Sequence, residues 1–202
     1  MLRSSLHGTN LRKTFAAKNA AHNKNLGGTT VLIDRRIAEL CVTKKMIRPY
    51  HPHAVQPCSY DVHLGPNAVV ERRGGWEPLD LSPYDEHSPY YMSPGEFLLG
   101  ETVEFITLPD NVEAHLHLVS SRAREGLNHS LSGLCDCSWQ GNLTLELKNI
   151  LKYGHIPIFP NLRVAQLSFW EYSENAQNPY RGRYFGDTKV SMVKDGTDVL
   201  QP

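Results

Sequence analysis

The chain has 202 residues, of which 40% are hydrophobic, enough for one domain with a proper core and tails. Its 21 basic and 21 acidic residues balance, which argues against a broad polyanion-binding field and so against a nucleic-acid partner. No apolar run approaches the length needed to span a bilayer, so no membrane partner is expected.

In chain order, residues 1–30 hold Arg3, Arg12, Lys13, Lys18 and Lys24 and no acid, which leaves the remainder with five more acids than bases. This head lacks the apolar segment of a secretory signal and reads as a basic, disordered arm. Its acid-free composition also permits organelle targeting, and it could instead lie across a neighbouring subunit. Asp34 to Cys41 predicts a short amphipathic helix with Ile33, Ile37 and Leu40 inward. Strands are expected near 60–64, 97–107, 113–119, 143–149, 156–159 and 163–170. Turns are expected at Gly65-Pro-Asn, Arg73-Gly-Gly, Leu108-Pro-Asp-Asn and Phe159-Pro-Asn. The polar, Pro-rich stretch Glu77 to Tyr91 reads as a surface loop, with Tyr84, Tyr90 and Tyr91 packing it rather than stacking on a base. Many short strands with few short helices predict a mainly β chain, an antiparallel sandwich or distorted barrel. Cys41, Cys58, Cys135 and Cys137 show no disulfide-framework spacing, which points to a cytoplasmic protein.

Two segments carry chemistry. Ser120-Ser-Arg-Ala-Arg-Glu-Gly126 reads as a helical turn capped by Ser120 or Ser121 and ended by Gly126, with amides and the guanidinia of Arg122 and Arg124 suited to phosphate oxygens. Taken alone, this segment reads better as an ordinary capped surface turn with solvated arginines, and it is the neighbouring strand that favours the phosphate cradle. In Leu143 to Asn149, leucines 143, 145 and 147 alternate with Thr144, Glu146 and Lys148, so a period of two buries the leucines and presents Glu146 on a rigid strand. His115 and His117 share a strand face, and half-exposed polar positions explain them more simply than a metal does. The His-x-Glu and Pro-Cys-x-x-Cys ligands of a zinc deaminase are not in the sequence.

Taken together, the series Ser120-Ser-Arg-Ala-Arg-Glu-Gly-Leu127, Ser132-Gly-Leu-Cys-Asp-Cys-Ser-Trp-Gln-Gly141 and Thr144-Leu-Glu-Leu-Lys-Asn149 resembles the trimeric dCTP deaminases, relatives of the trimeric dUTPases. The likeness extends through Ile33 to Ile37, Gln56 to Gly65, Pro94 to Gly100, Pro160 to Trp170 and, more loosely, Arg183 to Gly186. The resemblance implies a dUTPase-like (β-clip), jelly-roll-like barrel over residues 31–178 that assembles as a homotrimer with active sites between subunits. It implies that residues 179–202 form a tail closing over the nucleotide, and that Mg²⁺ is carried on the phosphates. The implied reaction is zinc-independent deamination of dCTP to dUTP and ammonia, with Glu146 activating water for attack at C4 of cytosine and Ser120 and Arg124 supporting it. Ser121, Arg122, Ser132, Asp136, Trp139, Gln166, Arg183, Tyr184 and Asp187 fall at implied substrate-binding positions. A dUTPase or bifunctional enzyme and a non-catalytic nucleotide-binding trimer are the alternatives.

The chain departs from the family pattern at four places. Val119 stands where a cation usually precedes the serine pair, Ser132 replaces an alanine, Cys137-Ser138 replaces Pro-Gly, and Asp187 replaces a glutamine. Aspartate can only accept where glutamine both donates and accepts, so recognition of the base or of the phosphate tail should differ there.

Overall fold

The alternating segments form strands in the computed structural model, which describes residues 28–130 and 133–194. In chain order these are β1 (Thr29–Val31), β2 (Ile47–Arg48), β3 (Val55–Gln56), β4 (Ser59–Arg72), β5 (Gly75–Asp80), β6 (Tyr90–Met92) and β7 (Phe97–Thr107). They continue as β8 (Val112–Leu118), β9 (Leu127–His129), β10 (Leu134–Cys135), β11 (Gln140–Asn149), β12 (Ile156–Ile158) and β13 (Arg163–Tyr172). Two α-helices, α1 (Asp34–Thr43) and α2 (Ser120–Arg124), and a 3₁₀ turn at Pro52–Ala54 complete the described elements.

One sheet runs β10-β8-β13-β4-β7-β11-β9, with β1 on β13, β2 on β7, and β3 and β5 on β4, while β12 and β6 form a separate pair. The first half of β4 pairs with β13 and its second half with β7 and β5, with a register break between Leu64 and Ala68. A bulge bends and twists its strand. Here it lets one antiparallel sheet curl into a distorted half-barrel, and the Gly65-Pro-Asn segment expected to turn the chain instead continues as strand through this irregularity.

The inward faces meet in one core. Tyr60, Leu167 and Phe169 come from one half and Leu98, Leu145 and Leu147 from the other, all with at most 1% exposure. α1 adds Ile37 and Leu40 as expected, whereas Ile33 is exposed. Its backbone is extended (φ −108°, ψ 168°) at the N-cap, so its side chain leaves the helical face.

β5 and β6 fall inside the stretch read as a loop. β5 is exposed nearly throughout, so it has no buried face to print an alternation, and forms by turning back on β4 at Arg73-Gly74. Two of the loop tyrosines pack as expected: Tyr84 meets Tyr90 edge-on at 5.6 Å, and the Tyr90 hydroxyl donates to Glu96 (2.6 Å) and accepts from Arg72 (2.9 Å), whereas Tyr91 is exposed. At the N-terminal boundary, Thr29 and Thr30 pair with Tyr172 and Glu171 in β1 rather than belonging to an arm. The rest of that arm, residues 1–27, lies outside the described residues.

Candidate active site

Glu146 sits on the outer side of β11, opposite Leu99 of β7, while Leu145 and Leu147 point into the core. Leu143 does not follow them. The register between β11 and β7 shifts between Asn142 and Thr144, and at this bulge Leu143 is only half-buried, packing against the core while also lining a cavity with Thr144 and Glu146. The bulge is stabilised by its own polar groups. The Asn142 side-chain amide donates to the carbonyls of Thr102 (2.8 Å) and Glu104 (3.2 Å), and the Thr102 hydroxyl accepts from the Leu143 amide (2.9 Å). No periodicity in the sequence announces such a break, which is why Asn142 and Leu143 escape sequence reading.

The cavity holds about 520 Å³ and brings Glu146, Asp136, Trp139, Tyr184 and Asp187 to one place, five of the sequence-derived candidates. Its walls are mixed: Trp76, Phe97, Leu99 and Tyr180 supply apolar and aromatic surface, and Asn142, Thr144 and Ser191 supply polar groups. Apolar walls lower the local dielectric and strengthen a carboxylate's electrostatic effect on a bound ligand. Trp139 is 7% exposed and anchors the turn by donating its amide to the Asp136 carbonyl (3.1 Å).

That turn explains one departure. Ser138 lies in the left-handed region (φ 69°), where glycine is the ordinary choice. Its hydroxyl donates to Asp110 at 2.6 Å, a local hydrogen bond that offsets the strain. The flanking Cys135 is buried and Cys137 half-buried, and both are free thiols. Burial pushes the Cys135 thiol up to about 12 and raises Cys137 as well, so neither is a thiolate near neutral pH.

Residues 180–193 run over the cavity. The amide of Tyr180 donates to the Cys137 carbonyl (3.2 Å), that of Gly186 to Gln140 (2.8 Å), and that of Asn142 to Asp187 (2.7 Å). Gly141 permits this approach: at φ 148° a Cβ there would stand 2.7 Å from the Asp187 carbonyl oxygen. The Ser191 amide then reaches the Thr144 hydroxyl at 3.1 Å.

The other candidates lie elsewhere. α2 carries Ser120, Ser121 and Arg124 exposed, and none of them lines the cavity. Val119, not a serine, occupies its N-cap, with no side-chain cap, because the chain leaves β8 in extended form and Ser120 is already helical. Gly126 ends the turn as expected, at φ 91°. Val119 is 9% exposed and used in packing, and Arg122 pairs with Glu125 at 2.7 Å. Gln166 accepts from the Ser59 hydroxyl (3.0 Å) on the other half of the sheet, and Arg183 lies within the covering segment with its side chain exposed. Ser132 lies outside the described residues. His115 stacks near Trp170 (4.3 Å) and His117 meets the Ser168 hydroxyl (3.0 Å). Among the described residues, no three His, Cys, Asp or Glu side chains converge to hold a metal ion.

His129 faces Leu147 across β9 and β11. Burial holds it below the usual histidine range, against the pull of the Glu146 charge, so it is neutral near neutral pH. Asn149, fully buried, donates to the carbonyls of Met92 and Gly154 (both 2.9 Å) and accepts from the Leu151 amide (2.9 Å), which pins the end of β11.

Comparison with known proteins follows this arrangement closely in extent. Residues 31–172 match a family model described as dCTP deaminase-like. The chain is 35% identical over 181 residues to a Persephonella marina protein named dCTP deaminase, dUMP-forming, covering 82% of this chain and 99% of that one. A Mycolicibacterium smegmatis protein of the same name is 34% identical over 162 residues, 74% of this chain and 85% of the relative. Among solved structures, a 2′-deoxycytidine 5′-triphosphate deaminase from Agrobacterium tumefaciens superposes with a TM-score of 0.60 at 20% identity, which shows a shared fold. It covers 71% of this chain, which spans about half (48%) of that protein's length. No helix among the described residues is long and apolar enough to cross a membrane.

Proposed function

The chain belongs to the dCTP deaminase-like family, and from that premise we propose that it deaminates dCTP hydrolytically, with Glu146 as general base and acid. The observation that carries this reading is the Glu146 carboxylate on a rigid strand, lining a partly aromatic cavity together with Asp136 and Trp139. Glu146 takes a proton from water, and the hydroxide oxygen bonds to C4 of cytosine. The same proton then passes to the amino nitrogen, the C4–N bond breaks, and ammonia leaves with uracil formed. A positioned acid/base of this kind contributes roughly 10²- to 10⁴-fold. No step needs zinc.

Among the described residues the lining of the cavity includes no lysine or arginine, while Asp136 and Glu146 bring two carboxylates and Asp187 a third that is paired with Lys194. A triphosphate therefore needs positive charge from outside this wall. Mg²⁺ carried on the phosphates fits that balance, with no cage of protein ligands required. Ser120, Arg122 and Arg124 fit the same need if a second copy brings its α2 to the cavity, which supports the homotrimer with shared sites. In this reading residues 180–193 serve as the lid, and the protein works in the cytoplasm.

The product is the finer question. Sequence expectation ended at dUTP, but the relatives are named dUMP-forming. That favours the bifunctional alternative, in which Asp136, exposed at the cavity, activates a second water against the phosphate chain. Incubation with Mg²⁺ and dCTP, following ammonia, pyrophosphate and nucleotides, tests both steps. Ammonia, pyrophosphate and dUMP are expected, with Glu146→Gln losing ammonia release. Ammonia with dUTP alone returns the product to the simpler reading, and pyrophosphate from dUTP without ammonia from dCTP overturns deamination. Binding without turnover favours a non-catalytic nucleotide-binding trimer.

A further inference from the structure

Asp187 borders the cavity, yet its carboxylate is directed into the covering segment. Lys194 Nζ donates to both of its oxygens (2.7 and 2.8 Å), and the Ser191 hydroxyl donates to one of them. The same ammonium donates to the Arg183 carbonyl (2.8 Å) and stands 5.3 Å from the centre of the Tyr184 ring. Its three donor positions thus gather Asp187 and Arg183 while the aromatic face adds a cation–π contact. The backbone on either side is fixed to β11: the Asp187 carbonyl accepts from Asn142, and the Ser191 amide reaches Thr144, two residues from Glu146.

We propose that Lys194 is a positioning residue for the reaction: with Asp187 and Ser191 it forms a clasp that holds residues 183–191 closed over Glu146 of the same chain. Asp187 then serves closure rather than reading the base: its two charged oxygens both take Lys194, an ion pair that a neutral glutamine with one acceptor oxygen would reduce to a single hydrogen bond. This rests on the deaminase reading for its catalytic consequence and on geometry alone for the clasp.

Lys194→Met in the full-length protein separates the two. The pair is part-exposed, with side-chain exposures of 40% and 19%, so a moderate effect is expected. Amide hydrogen exchange at Asn142 and Gly186 should quicken roughly three- to fivefold, and KM for dCTP should rise by about the same factor with kcat nearly unchanged. Lys194→Arg should retain the wild-type values. Exchange identical to wild type in Lys194→Met overturns the clasp, and faster exchange with an unchanged KM overturns its positioning role. If the wild-type protein does not turn over dCTP, the exchange result still decides the clasp, and only the deaminase reading fails.

Discussion

β11 and α2 carry the two parts of the expected catalytic set, and one chain fixes them very differently. β11 is held by β7 on one side and β9 on the other, pinned at its end by Asn149, and sends Glu146 into a formed cavity. α2 is a five-residue exposed turn whose serines and Arg124 meet no cavity in the same chain. A base has to be placed to a fraction of an ångström, which a strand inside a sheet achieves. Groups that meet a phosphate chain can be supplied from a turn, provided another surface comes to it.

The largest expected effect tests that division directly. Glu146→Gln and Arg124→Ala should each lose ammonia release, the first by roughly 10²- to 10⁴-fold. Co-assembled subunits carrying one substitution each should recover a fraction of wild-type activity, because a composite site with both residues intact then exists. No recovery in the mixture breaks the comparison and puts both groups in one chain's site. Arg124→Ala alone should leave the melting temperature unchanged.

On the fixed side, Asn149→Ala removes three hydrogen bonds of a fully buried side chain. It should cost about 3 kcal/mol at roughly 1 kcal/mol per bond, read by denaturant unfolding. At the turn leading into β11, Ser138→Ala keeps a left-handed backbone but loses the bond to Asp110, so it should destabilise by about 1 kcal/mol. Ser138→Gly, which relieves the backbone, should lie closer to wild type. An alanine variant as stable as the serine would show that this bond does not hold the turn.

The smallest effect is a pH dependence. Glu104, whose carbonyl helps anchor the bulge, is fully buried and takes a hydrogen bond from His63 at 2.7 Å. That bond raises the histidine above its ordinary value, with Asp61 reinforcing the shift and burial and Arg163 opposing it. A raised folded value means the His63 contribution is complete below about pH 6.5 and fades as pH rises through the folded value. The melting-temperature gap between wild type and His63→Asn should therefore be widest in mild acid and narrow toward alkaline pH. A gap that widens with pH refutes the pairing as the cause.

Much of this was legible in the sequence because burial on one face writes a period of two: the alternation of Leu145, Glu146 and Leu147 gave both the strand and the direction of the carboxylate. Leu143 was misread because a bulge is made by hydrogen bonds from Asn142 and Thr102, and those leave no hydrophobic signature. β5 was invisible for the complementary reason, having almost no buried face. The gathering of Asp187, Tyr184 and Glu146 depended on long-range pairing between the covering segment and β11, which no local pattern encodes. Ser120 and Arg124 were recognisable as residue types, but their place on an exposed turn away from the cavity follows from the fold and not from any local pattern.

The bulge at Asn142 has a further consequence for how the protein can change. It is a phase break, so the strand before it and the strand after it need not share one alternation. Gly141 and Asn142 hold this break and the covering segment in place, whereas Gln140 and Leu143 flank them, the first against the covering segment and the second at the cavity, and Leu145 and Leu147 lock the strand to the core. Substitutions at Gln140 and Leu143 can therefore reshape the cavity and its cover without rotating Glu146, which makes these two positions, with Gly141 and Asn142 kept, the natural ones to diversify in a library.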